Sequence, residues 1–353
     1  MATLVSVILP TYNRAYCLSQ AVDSALNQSY SPLEVVILDD GSTDGTADVV
    51  RSRYGGDPRV IYHRRSNGGV SAARNAAMAL ARGEVLFFCD SDDIWHPDKV
   101  KWQMAAFAHY PHVDLVWTDV SAVDQDGRVL HERYSRVCYD AWWDAPIAEI
   151  FQESLQLSAL LDEPVSDHAG AGVHVGHILR TMITGTVINM PAVAVRAGVI
   201  DRIGGFDESM MTGEDYDFNL RACAAGAVAF IDAPTVRYRI GAADQLTRPS
   251  LLADQARNWF RSIARITASD VAAEWMSPVR MRPILADKYA WLGTAESLCG
   301  NRPAARAAFW QSMRLGTRSP RVMLEFMMTL VPPGLDGRLR ATYRSSKNTL
   351  RRG

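Results

Sequence analysis

Two periods alternate along the first half of the chain. Leu4 to Leu9 is a near-continuous apolar run closed by Pro10, with a polar loop, Thr11-Tyr12-Asn13-Arg14, behind it. A run of that kind predicts a strand with both faces covered. Leu18, Val22, Ala25 and Leu26 then fall at i, i+4, i+7 and i+8, the spacing of an amphipathic helix. Glu34 to Leu38 is a second apolar run and ends in Asp39-Asp40-Gly41-Ser42, with Asp44-Gly45 behind it. Asp48 to Arg53 predicts a helix and Arg59 to His63 a third strand. Asn67-Gly68-Gly69 leads into an alanine-rich helix over Ser71 to Ala81, which Gly83 stops. Glu84 to Phe88 is a buried strand, and Asp90-Ser91-Asp92-Asp93 arrives at its C-terminal end.

Pro97 opens a helix whose apolar positions are Val100, Met104 and Phe107, and Asp114 to Thr118 reads as another strand. From about Val120 to Thr181 the pattern weakens and gives no assignment. That stretch holds Trp142-Trp143 and His168, His174 and His177; the glycines around the histidines favour a polar loop over a second metal site. An apolar segment returns at Gly185 to Val195, followed by Gly204-Gly205-Phe206-Asp207-Glu208. Thr212-Gly213-Glu214-Asp215-Tyr216-Asp217 opens a helix toward Ala225. Val228 to Ile231 reads as a strand, and Val236-Arg237-Tyr238-Arg239 leads into a loop ending at Arg248-Pro249. From Ser250 only helices are predicted: one carrying Leu252, Ala256, Trp259, Ile263 and Ile266 on a narrow face, then Pro283 to Leu298, Pro303 to Leu315, and a last one from Ser319-Pro320 to Pro332-Pro333. The expected division is an α/β domain over residues 1–248 and a helical region with a basic tail over 249–353.

Strands alternating with helices indicate an open, mostly parallel sheet. Ligands of such sheets bind beyond the carboxyl ends of the strands, where every unusual polar cluster of this sequence falls. A single nucleotide-sized site follows. No G-x-G-x-x-G comes after the first strand and no P-loop is present, which disfavours a dinucleotide or Walker-type site. Three carboxylates in four positions, Asp90, Asp92 and Asp93, repel one another, and a divalent cation with a taste for hard oxygen ligands would relieve them. The alternative is a solvated acidic turn that caps the following helix. Glu214 and Asp215 pose the same choice, since carboxylates at a helix N-terminus also cap it and favour its dipole.

Composition narrows the class. Hydrophobic residues are 48% and charged residues 22% of 353, ordinary for a globular protein, and the formal net charge of -2 gives no overall pull toward nucleic acid. The five scattered cysteines, without a C-x-x-C pair, read as reduced thiols in a cytoplasmic protein. Neither a signal peptide nor a membrane span is expected. The tail from Arg338 to Arg352 is basic; it reads as a solvated terminus, with peripheral contact to anionic lipid on the inner membrane face as the other reading.

The ordered pieces resemble a family 2 glycosyltransferase of the GT-A fold over Val5 to about Arg248. They are Ser6-Val7-Ile8-Leu9-Pro10-Thr11-Tyr12-Asn13, Asp39-Asp40-Gly41-Ser42-Thr43-Asp44, Asn67-Gly68-Gly69 through Ala73-Arg74-Asn75, Asp90-Ser91-Asp92-Asp93, Gly204 to Glu208 and Gly213-Glu214-Asp215. The resemblance implies an inverting enzyme that moves a sugar, hexosyl in type, from a nucleotide-sugar donor, a UDP-sugar by expectation, to a carbohydrate or glycolipid acceptor. It implies that Pro10, Thr11 and Tyr12 border the nucleotide, that Asp40 accepts from the base, and that Arg74 approaches the base or phosphates. Asp90 and Asp92, flanking Ser91 at the donor, would bind Mn²⁺ or Mg²⁺ with Asp92 as the direct ligand; Asp215 would be the general base, with Glu214 contacting a sugar. Many relatives carry a histidine after Tyr-Arg, whereas here Tyr238-Arg239-Ile240 is followed by Gly241-Ala242-Ala243-Asp244, so Asp244 or water and phosphate would complete the shell. A sugar-nucleotide pyrophosphorylase is disfavoured by the Pro10 to Asn13 loop. An inactive sugar-nucleotide-binding protein, with a C-terminus that binds partners, is the alternative from another class.

Overall fold

The computed structural model describes residues 2–139, 142, 146–161, 165, 168, 170–241, 251–268 and 278–331. Trp143, Asp244, the expected boundary at 248/249 and the tail from Arg338 lie outside them. Two compact units emerge: residues 1–245 with 262–267, and residues 246–261 with 268–353.

The first unit is built on one sheet. Its strands are β1 (Val5–Thr11), β2 (Leu33–Asp39), β3 (Val60–Arg64), β4 (Val85–Phe88), β5 (Ile94–Trp95), β6 (Val113–Val123), β7 (Val129–His131), β8 (Glu153–Gln156), β9 (Gly172–Gly176), β10 (Ala194–Arg196) and β11 (Ala227–Arg239). They lie in the order β3-β2-β1-β4-β10-β6-β11-β9-β8, with β5 on β11 and β7 on β6. The pairs β3–β2, β2–β1, β1–β4 and β6–β11 are parallel, and β10 runs antiparallel between β4 and β6. The helices are α1 (Leu18–Leu26), α2 (Thr46–Tyr54), α3 (Val70–Leu80), α4 (Lys99–His109), α5 (Ser135–Cys138), α6 (Ile147–Ile150), α7 (Leu179–Thr184), α8 (Ala197–Ile203) and α9 (Glu214–Ala225). Every residue of β1, β2 and β4 is buried, which is why their sequences are nearly unbroken apolar runs. This is the expected α/β sheet, mostly parallel at its centre.

Several elements run past their expected ends, each for a physical reason. Pro10 continues β1 because β4 pairs only as far as Ile8↔Phe88, so the missing N–H of Pro10 faces an open edge. β6 extends from Thr118 to Val123 through buried polar residues, two of which are paired by their hydroxyls: Thr118 and Thr235 meet at 2.7 Å and Ser121 Oγ donates to the Glu132 carbonyl at 2.9 Å. β11 passes through Asp232 and Pro234 by irregular register at Ile231/Pro234 and Pro234/Val236, which accommodates a proline inside a strand. Within the unassigned stretch, β9 is bounded by Gly172 and Gly176, residues that weaken a strand signal, so His174 belongs to a strand and not to a loop.

Lys99 anchors α4 to the sheet. It is fully buried, and its Nζ donates to Gln103 Oε1 at 2.7 Å over the rings of Trp95 (4.2 Å) and Phe87 (5.2 Å). Gln103 Nε2 in turn donates to the carbonyls of Val116 (2.8 Å) and Ala192 (3.0 Å). The five cysteines are free thiols, three of them buried.

The second unit carries α11 (Pro278–Leu298), α12 (Arg302–Arg314) and α13 (Pro320–Met328); α10 (Leu252–Thr267) leads into it. The helix expected to begin at Pro283 begins five residues earlier and carries that proline inside, where it costs one backbone hydrogen bond. Ala305, Phe309 and Val322 form its small core with Ala290, Met313 and Phe326 against them. No helix of the described residues is long and apolar enough to cross a membrane.

Burial pulls the Lys99 ammonium from 10.5 down to about 7. Between those values the unfolded chain binds the extra proton, so Lys99 makes stability rise with pH across that window. In urea unfolding at several pH values, the stability of the wild type relative to Lys99→Met rises from pH 7 toward pH 10, by at most about 1.4 kcal/mol per pH unit. A pH-independent difference would contradict this account.

Candidate active site

Because β4, β6 and β11 share the direction of β1 and β2, their C-terminal ends gather at one sheet edge. There Thr11 is buried with its hydroxyl unpartnered, while the Tyr12 ring is 45% exposed. Asn13 adopts a positive φ of 52°, a conformation asparagine tolerates. Its amide donates to Ser42 Oγ at 2.9 Å, and its Oδ1 accepts from the Thr43 amide at 2.7 Å. Asp39 accepts from the Ser42 amide (2.7 Å) and the Tyr62 hydroxyl (2.8 Å). Gly41 between them has φ +83°, and a Cβ there would lie 2.8 Å from the Asn67 nitrogen, so the turn requires glycine. Asp40, 3% exposed, accepts the amides of Gly68 (3.0 Å) and Gly69 (2.8 Å). The acidic loop after β2 thus holds the glycine loop that opens α3.

α3 delivers the side chain on which the site turns. Arg74 is 4% exposed; Nη2 donates to Asp90 Oδ1 and Nη1 to Glu214 Oε1, each at 2.9 Å, and the guanidinium lies 5.2 Å over the Phe206 ring. Burial opposes that charge, but the two carboxylates hold it firmly protonated. Arg74 thereby spends both terminal nitrogens on carboxylates. Its neighbour Asn75 accepts from the Phe206 amide at 2.8 Å and donates to the Phe206 carbonyl and Glu208 Oε1, both at 2.9 Å. A Cβ on Gly205 would fall 2.4 Å from Asn75 Oδ1, so glycine is required there too.

The three carboxylates after β4 do not share one task. Asp90 bonds Arg74. Asp92 has its Oδ2 4.0 Å from Arg14 Nε, and burial and then the Asp90 charge push it up to about 6. Asp93 turns inward: it is fully buried, Oδ1 accepts the Arg239 amide at 3.1 Å, Oδ2 has no partner, and burial raises it well above the usual carboxylate range. Asp93, which stands outside the expected Asp90 and Asp92 pair, pins the end of β11. Arg239 completes that fastening, with Nε to the Asp92 carbonyl (3.1 Å), Nη1 to the Gln125 carbonyl (2.7 Å) and Nη2 to Gln20 Oε1 (2.9 Å). Ser91 is buried, and its carbonyl receives the Cys17 thiol at 3.5 Å.

Glu214 and Asp215 open α9, yet neither caps it, since the cap position is Gly213 in the left-handed region. Burial raises both carboxyls, Glu214 further through Asp215, while Arg74 pulls against the rise. Asp215 Oδ1 accepts only the adjacent Tyr216 amide, at 2.7 Å. Two phenols feel the same charges: Tyr238 is raised by burial and then by Asp93, Asp90, Asp92 and Asp215, and Tyr139 by burial, Cys138 and Asp215. Tyr139 donates to Asn189 Oδ1 at 2.5 Å. Arg14, Asn75, Tyr139, Tyr238 and Arg239 carry no role in the sequence expectations; the polar Thr11 to Arg14 loop, the Ala73-Arg74-Asn75 piece and the Tyr-Arg pair at the end of a strand are the signals the sequence offers for four of them.

The three histidines of the glycine-rich stretch are dispersed. His168 stands 5.9 Å from His96 and 5.7 Å from Trp102, while His174 pairs with Ser154 Oγ at 2.7 Å and packs on Phe151 and Phe230. Among the described residues no three His, Cys, Asp or Glu side chains assemble as a metal cage.

Residues 6–175 match the profile of glycosyl transferase family 2. That match spans just under half of the chain and is a likeness to the family. Chondroitin synthase of Pasteurella multocida (strain Pm70) is 40% identical to this chain over 132 residues, 37% of the chain and 14% of the synthase, so the match spans only a small part of that relative. The crystal structure of S. aureus TarS 1-349 superposes with a TM-score of 0.58 at 22% identity, covering 99% of this chain and 91% of that one. TarS 1-349 in complex with UDP-GlcNAc gives 0.54 at 18% identity, over 92% and 90%. These likenesses establish the GT-A architecture of this chain.

Removing the guanidinium strands two carboxylates together. Arg74→Met lowers unfolding stability in urea by about 3–5 kcal/mol, as breaking a buried ion pair does. The loss shrinks as pH falls, because the abandoned carboxyls take up protons. A loss below about 1 kcal/mol at neutral pH would refute Arg74 as the centre of the site.

Proposed function

We propose that this protein is a family 2 glycosyltransferase that moves a hexosyl group from a nucleoside diphosphate donor, a UDP-sugar by preference, to a hydroxyl of a carbohydrate or glycolipid acceptor, with inversion. The observation that carries this is the single guanidinium joining Asp90 to Glu214 at 2.9 Å on each side. It holds the donor-side loop and the Glu214-Asp215 pair one side chain apart, a fitting distance for a sugar between them.

Pro10, Thr11 and the exposed Tyr12 ring border the nucleotide, with the unpartnered Thr11 hydroxyl open to a hydrogen bond. Asp40 retains lone pairs beyond those given to Gly68 and Gly69 and accepts from the base. Ser91 lines the donor, and Arg74 orients both carboxylates. Asp92 and Asp90 fit Mn²⁺ or Mg²⁺: they are hard oxygen donors, and the crowding that lifts Asp92 is relieved by a cation. Phosphate oxygens and water would complete the shell of such an ion, which would then bind weakly without donor. Such an ion supplies Lewis-acid neutralisation of the leaving diphosphate. Asp215 takes the acceptor proton as the hydroxyl oxygen bonds to the anomeric carbon. The bond to the diphosphate breaks on the opposite side and its electron pair leaves with the phosphate oxygen. Burial raises the carboxyl of Asp215, which makes it a stronger base near neutral pH. TarS with UDP-GlcNAc is an instance of this fold holding a donor of the proposed class.

Asp92→Ala abolishes divalent-ion-dependent binding of a nucleoside diphosphate in calorimetric titration. In the wild type that binding weakens as pH falls below about 6, because the cation needs the ionised carboxyl. Undiminished binding by Asp92→Ala would remove Asp92 as a ligand.

Asp215→Asn lowers kcat by about 10²–10⁴-fold while donor Kd changes little. Turnover within a few-fold of wild type would place the base elsewhere.

A further inference from the structure

We infer that the C-terminal helices dock on an anionic lipid surface. The chain is divided in charge: residues 302–353 hold eleven Lys and Arg against two Asp and Glu, leaving 26 against 37 for residues 1–301. A net charge of -2 conceals this asymmetry. Six of the eleven, Arg338, Arg340, Arg344, Lys347, Arg351 and Arg352, follow α13 in sequence, and Arg314, Arg318 and Arg321 are exposed just before or at its start.

α13 is apolar on two faces. Val322, Phe326 and Met328 pack inward, whereas Met323 (51% exposed) and Met327 (58%), at i and i+4, are exposed together with Leu330 (49%) just past the helix end. A helix end apolar on two sides ordinarily covers both. Trp310 of α12, 53% exposed, lies 6.2 Å from the Phe326 ring and adds an aromatic suited to the lipid headgroup level. The outward stripe is held in place: Arg302 donates to the Met328 carbonyl at 2.9 Å and Arg306 to that of Thr329 at 2.7 Å. An apolar stripe with exposed Arg314, Arg318 and Arg321 near it in sequence, and a polybasic segment after it in sequence, supplies the two signals that stable surface binding needs, shallow apolar insertion and attraction to anionic headgroups. Charge complementarity selects an anionic bilayer over a second copy of this chain, whose own C-terminal segment is equally basic.

The test is co-sedimentation of the full chain with vesicles of phosphatidylcholine alone or mixed equally with phosphatidylglycerol, without donor, so that it is independent of the proposed chemistry. Binding is expected on the mixed vesicles only and weakens with salt. Deleting residues 334–353 lowers the partition coefficient more than about tenfold, and Met323→Ser/Met327→Ser/Leu330→Ser lowers it as well. Both variants retain the wild-type circular dichroism and donor hydrolysis. Absence of binding to mixed vesicles, equal binding to both compositions, or a concentration-dependent dimer that the triple variant abolishes would each overturn the inference.

Discussion

One buried guanidinium sets the geometry around it. Arg74 is nearly inaccessible to water and holds Asp90 and Glu214 at equal distance, so the loop after β4 and the start of α9 cannot move independently. A charge so placed is stable only with well-oriented partners, and the partners are stable only with the charge. Asn75, one residue on, fixes the chain before α9 through both hydrogen bonds to Phe206. α3 therefore transmits the position of the sheet edge to α9 through two adjacent side chains.

The sequence pieces prove to be halves of contacts. Asp40 belongs with Gly68 and Gly69, Asn13 with Ser42 and Thr43, Arg74 with Asp90 and Glu214, and Asn75 with Gly205 and Phe206. Each half stands at the end of an apolar run, which is why the clusters were legible as one edge of a parallel sheet. The joins were not. Arg74 and Glu214 are 140 residues apart and Arg239 and Asp92 147, and no local period encodes a pairing over such a span. Asp93 shows the same limit. Its spacing from Asp90 and Asp92 looks like a third ligand, and only the amide of Arg239 reveals a structural task.

The strands beyond β4 were poorly legible for a different reason. β6 and β11 are long because their polar residues are paired across the sheet, as at Thr118 and Thr235, and because Pro234 sits at a shift of register. A reader of alternation stops at the first threonine or proline. β9, flanked by glycines, offers no apolar run at all.

Charge closes the argument about the site. Asp90, Asp92, Asp93, Glu214 and Asp215 lie around a guanidinium whose two terminal nitrogens are both engaged, with Arg14 and Arg239 at the margin. Burial and mutual repulsion raise Asp92, Asp93, Glu214 and Asp215 together. A diphosphate adds further negative charge, and an anion entering this field is repelled unless a cation enters with it. The same crowding that leaves Asp90 and Asp92 short of positive charge accompanies a raised carboxyl at Asp215. Cation demand at one end of Arg74 and proton affinity at the other are thus two consequences of one electrostatic deficit. A substitution that relieves it at either end is bound to be felt at both.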